Sequence, residues 1–124
     1  MALTTYSALV AGFNSAVPVA LQLPEVAKND VTIRTQSAEM TVTLVDTQVT
    51  QITVTAFGAD VHGDYYKLFV DGLEGGMGWS SANFYHAAMA TLADHEAHTG
   101  VNAAGITAVH TFVAGDLVVV LTKD

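Results

Sequence analysis

From Asp30 onward, apolar and polar residues alternate. Val31 and Ile33 flank Thr32, and Met40, Val42 and Leu44 interleave with Thr41 and Thr43. Ile52, Val54 and Ala56 interleave with Thr53 and Thr55. A period of two built from β-branched residues marks half-buried antiparallel strands, because successive side chains of a strand point to opposite faces. The breaks at residues 36–39 and 46–48 are short enough for hairpin turns. Residues 31–56 therefore read as a three-stranded meander. Residues 57–64 hold two glycines and two aspartates and read as a loop. Residues 65–70, aromatic and β-branched, read as a fourth strand closed by Asp71 and Gly72. Residues 74–79, with three glycines, read as a flexible connector.

Residues 82–98 contain no glycine or proline, and Phe84, Tyr85, Ala88, Met89 and Leu92 recur at three- and four-residue spacing. That spacing predicts a helix with one apolar stripe, lying on a sheet. Ser80 or Ser81 is its N-cap and Gly100 its C-terminal cap. The chain closes with a hairpin, residues 106–113 turning at Ala114, Gly115 and Asp116 into residues 117–122. Leu117–Leu121 is continuously apolar, as expected of a strand covered on both faces.

The first 27 residues are apolar but weakly periodic. Thr4 to Val10 suits one threonine-capped helical turn, while Pro18 and Pro24 favour extended backbone around them. The expected organisation is an extended N-terminal arm, residues 1–27, and a single β-rich domain, residues 28–124. The fold class is mainly β (α+β): an antiparallel β-sandwich or small barrel of about six strands with one α-helix packed outside. No repeat at a fixed period is visible.

Charge changes the picture. Twelve carboxylates face four cations, Lys28, Arg34, Lys67 and Lys123, for a formal charge of −8. Such a chain lacks the positive stripe that nucleic acid or an anionic membrane surface requires. Only 13% of its residues are charged and 51% are hydrophobic, against about a quarter charged in ordinary globular domains. Depletion of charge is a property of interface cores, so the surface is expected to be largely occupied by neighbouring subunits. The absence of cysteine excludes disulfides, thiolate zinc sites and iron–sulfur clusters. No apolar run approaches the ~20 residues of a spanning helix, and the first 16 residues, without Lys or Arg, make a poor signal peptide.

Candidate chemistry is sparse. Asp94, His95, Glu96 and His98 cluster at the predicted helix end, but the His-Glu-x-x-His spacing is absent and histidine is favoured there by the helix dipole. Asp60, His62 and Asp64 lack EF-hand spacing and read as an aspartate-stabilised turn. His110 shares a strand face with Ile106, Ala108 and Phe112, as a core or interface histidine. The glycine-rich stretch before Ser80 has no lysine after its last glycine and is not a phosphate loop. No Gly-x-Ser-x-Gly elbow is present. No catalytic residue, cofactor or metal ligand is assigned.

No motif identifies a family. The texture of threonine-rich alternating strands, an apolar arm, few charges and no cysteine resembles that of small head-decoration and tail proteins of bacteriophages. The resemblance implies a non-enzymatic assembly subunit located in a virion, with copies of itself and a capsid or tail as partners. The interface residues expected are Tyr6, Leu9, Phe13, Val17, Leu21 and Leu23 of the arm, with Met77 and Trp79 as anchors. The arm is expected to dock at least partly on a neighbour and to be dispensable for folding. Two other classes stand beside this one. The first is a small-molecule or glycan-binding module walled by Tyr65, Tyr66 and Trp79. The second is a small metal-dependent enzyme built on His95, His98 and nearby carboxylates.

Overall fold

The computed structural model describes residues 2–59, 64–77, 81–101 and 105–123. In chain order, β1 (Thr4–Thr5) leads into α1 (Tyr6–Ala16) and a 3-10 turn at Val19–Leu21. The alternating segments form β2 (Val31–Arg34), β3 (Ala38–Val45) and β4 (Gln48–Ala56). Two helices follow, α2 (Asp64–Met77) and α3 (Ser81–Asp94), then β5 (His98–Val101), β6 (Ile106–Val113) and β7 (Asp116–Lys123).

The strands make one antiparallel sheet in the order β2-β3-β4-β7-β6-β5. β7 pairs with residues 52–56 of β4, and β1 takes the rest of that edge, Thr4 opposite Val49 and Thr5 opposite Gln48. Two three-stranded meanders, β2–β4 and β5–β7, are thus joined through their last strands, with Thr53 opposite Val120 in the joining pair. The halves match in detail. β3 and β6 have eight residues each and the same alternation of burial. Each ends in a turn whose first residue is left-handed, Asp46 at φ 57° and Ala114 at φ 51°.

One face of the sheet holds the core. Met40, Val54, Val119 and His110 lie in one cross-strand row, and Val42, Ile52, Leu121 and Ala108 in the next, all buried. A bulge between Thr43 and Leu44 makes Thr50 an extra residue, so that Val49 and Ile52, three apart, both face inward. Tyr6, Leu9 and Phe13 of α1, Tyr66, Phe69, Val70 and Leu73 of α2, and Ala88 of α3 close over this face. The result is the expected antiparallel, β-rich α+β sandwich, its second layer helical. Among the described residues no helix is long and apolar enough to cross a membrane.

Three expectations are corrected. Residues 65–70 are helical, not a strand, and the helix continues through most of the expected connector. Tyr66, Phe69, Val70 and Leu73 stand at i, i+3, i+4 and i+7, a helical stripe, and all are buried. The glycines that suggested a break serve packing. A Cβ on Gly72 would lie 2.6 Å from Phe13 Cδ2, and one on Gly75 would lie 3.0 Å from the Gly12 carbonyl oxygen. They let α1 approach α2 closely. Gly72→Ala tests this. In an open helix the change adds about 0.5–1 kcal/mol of stability, whereas here the Phe13 ring must move. A net loss of about 1–3 kcal/mol is expected by urea denaturation, and a gain would show the two helices to be looser.

Second, α3 ends at Asp94, before the expected residue 98. His95 takes the left-handed cap at φ 60°, its amide donating to the Thr91 carbonyl at 2.7 Å. His98 and Gly100 belong to β5, so Gly100 is no helix cap.

Third, the N-terminal segment is no extended arm. The Thr5 side chain accepts from the Ala8 amide at 3.2 Å and starts α1. Val17, preceding Pro18, is extended and ends it. The chain then returns along the helix. Asn14 Nδ2 donates to the Leu23 carbonyl at 2.9 Å, and Asn14 Oδ1 accepts from the Leu23 amide at 2.8 Å. Tyr6 Oη donates to the Pro24 carbonyl at 2.6 Å. The prolines prevent one long helix but not a helix that folds back on itself.

Candidate functional site

The arm residues expected at an interface are otherwise employed. Tyr6, Leu9, Phe13, Val17, Leu21 and Leu23 are all buried in the chain's own core, with Phe13 stacked on Phe69 at 6.4 Å between ring centroids. Burial also raises the Tyr6 phenol above its ordinary pKa. Met77 is the last residue of α2. Trp79, Ser80, Asp60 and His62 lie outside the described residues, while Asp64 begins α2. Tyr66 is buried on α2 and cannot wall a ligand site, and burial and the neighbouring Tyr85 push its phenol strongly upward.

The histidines gather at one corner. His98 Nε2 lies 2.9 and 2.8 Å from the two carboxylate oxygens of Asp94, one turn earlier in sequence. The amide of Glu96 donates to Asp94 Oδ1 at 2.9 Å. That amide, then His98, holds the Asp94 carboxyl below the usual carboxylate range. His95 stacks flat on Phe112, 4.0 Å between centroids. His98 also stands opposite His110 in the β5–β6 ladder. Burial pushes His110 down to about 4, against the upward effect of a hydrogen bond to the Ala108 backbone and with the help of His98. No group of three or more His, Cys, Asp or Glu side chains converges to hold a metal among the described residues. Asp94 and His98 link the end of α3 to β5, and His95 packs the residue after α3 against Phe112 of β6.

A cavity of about 210 Å³ opens between the start of α1 and residues 25–27, lined by Tyr6, Ser7, Glu25, Val26, Ala27 and Thr47. It is smaller than the roughly 300–1,000 Å³ of ordinary ligand sites, and among the described residues Glu25 is the one carboxylate that lines it.

The distinctive surface is the other face of the sheet, over which no described helix lies. Its central row runs Thr32, Thr41, Thr53, Val120, Val109 and Thr99 across the six strands from β2 to β5 in the sheet order. Val118 lies beside this row, and Val45 and Val113 stand at matching ends of β3 and β6, 59% and 54% exposed. The continuous apolar run of β7 therefore meets helices on one side only. Charge is confined to the rim. Arg34 pairs with Glu39 at 3.6 Å and lies over the Phe57 ring, and Asp116 accepts from the Gly58 amide at 2.8 Å. Sequence patterning indicated the threonines as outward-facing. It did not indicate that the whole face stays uncovered.

No protein-family model matches the sequence, and no curated protein or solved structure matches it.

Proposed function

We propose that this protein is a non-enzymatic assembly subunit, acting by packing against copies of itself or a larger particle. The observation that carries the reading is the open sheet face, neutral across six strands and bearing five valines, on a chain of formal charge −8. A protein that works alone in water covers such a sheet with Lys and Glu on its outward positions. A face of Thr and Val with charge only at the rim has the composition of an interface core. The finer reading is a virion component, a capsid-decoration or tail protein. The threonine-rich, cysteine-free, charge-poor texture of the chain supports it.

The test is the mass in solution between 1 and 200 μM or so, a range that brackets weak and strong subunit association. A multiple of 13.0 kDa is expected. A single monomeric species throughout that range defeats the proposal.

A further inference from the structure

We infer that the open face is where a second copy of this chain docks, sheet on sheet, centred on the Thr53–Val120 pair. The inference rests on the assembly reading above and names its partner and geometry.

Three features select a second copy over an unrelated partner. The first is charge. A chain at −8 that meets itself must keep carboxylates out of the contact, and the central row of the face contains none. Arg34 and Glu39 neutralise one another at the rim.

The second feature is symmetry. The two meanders share their strand order about the β4–β7 junction and the length and burial pattern of β3 and β6, so Val45 at the end of β3 has its counterpart in Val113 at the end of β6. A two-fold interface brings the same patch of both subunits together and demands self-complementarity. A face that is already two-fold in outline meets that demand with either half.

The third feature is area. Six strands about 4.8 Å apart and up to eight residues long span on the order of 600 Å² in plan. The accessible surface of a corrugated face exceeds its plan area. That brings it near the roughly 800 Å² per partner of a standard stable interface. Small β-branched side chains such as these permit the ~10 Å spacing of aligned sheet packing.

The experiment uses the full chain, and its lack of cysteine makes placement of a single thiol simple. Thr53→Cys lies at the centre of the face, and Lys67→Cys lies on the exposed side of α2. Treated with a short bis-maleimide, the first is expected to link into a covalent dimer and the second to stay single. Linking through position 67 but not 53 would place the contact on the helical layer and overturn the inference.

Val120→Lys is the second variant. It sets a charge at the centre of each face without touching the helix-covered core, so its thermal melt at low concentration should match the parent. Its dimer dissociation constant is expected to rise on the order of a hundredfold, because two unpaired ammonium groups would have to be buried. Self-association of Val120→Lys at parental strength overturns this docking mode and leaves the assembly reading standing. A parent that remains monomeric overturns both.

Discussion

A chain lacking residues 1–24 is expected to have no cooperative unfolding transition. Leu3, Tyr6, Leu9, Phe13, Val17, Leu21 and Leu23 are all buried in the core shared with the sheet and α2. At about 1.5–3 kcal/mol for each fully buried large apolar side chain, their transfer amounts to roughly 10–20 kcal/mol. Structure in the unfolded chain makes that an upper figure, yet it matches the 5–15 kcal/mol by which a domain is stable at all. Removal would also bare Phe69, on which Phe13 stacks, and open the close contacts over Gly72 and Gly75. Phe13→Ala is the graded form of the same test. The ring is fully buried, stacks on Phe69 and fills the notch over Gly72, so a loss of about 3–5 kcal/mol is expected. Circular dichroism with urea titration measures both. A truncated chain that melts cooperatively would show the N-terminal segment to be an appendage, as its sequence had suggested.

Acidification is the second large effect. His110 is fully buried, with His98 opposite it on β5, Val119 opposite it on β7, and the Thr91 hydroxyl of α3 donating to its carbonyl at 3.3 Å. Its pKa falls from 6.5 to about 4 on folding. Between those values the unfolded chain binds a proton that the native state refuses. The stability associated with a neutral His110 is therefore complete above pH 6.5 and declines as pH falls toward 4. A shift of that size corresponds to about 3 kcal/mol. Asp94 works in the same direction, but at lower pH. Its depressed carboxyl favours folding above its ordinary value and loses that contribution as it protonates. The His110 part is isolated by difference. Urea denaturation at pH 7.5 and pH 4.5 should cost the parent about 2–3 kcal/mol more than it costs His110→Leu. Parallel pH profiles for the two proteins would remove His110 as the cause.

Much of the sheet was legible in the sequence. The in–out alternation of β3 and β4, the β6–β7 hairpin and the inward placement of His110 follow from the two-residue repeat of strand geometry, which is local. α2 was not legible, because two local signals opposed a third. Tyr65, Tyr66, Phe69 and Val70 favour a strand, and Gly72, Gly75 and Gly76 argue against a helix. The stripe of Tyr66, Phe69, Val70 and Leu73 pointed the other way. It prevails because the Phe13 ring and the Gly12 backbone occupy the space that side chains on Gly72 and Gly75 would need. That reason resides far upstream in the chain, on another helix.

Which residues alternate, where the hairpins turn and how little charge is available to cover the surface can all be read along the chain. Each depends on neighbours a few positions away, or on composition alone. What covers each apolar face emerges only when the chain is folded. Folding returns the N-terminal segment to its own core through the Asn14–Leu23 and Tyr6–Pro24 hydrogen bonds. It gathers three helices on one side of the sheet, and it leaves Val109, Val118 and Val120 on the other. Burial is a relation between distant segments. A strand with β-branched residues on both sides reads the same whether its second face meets a helix, another sheet or water.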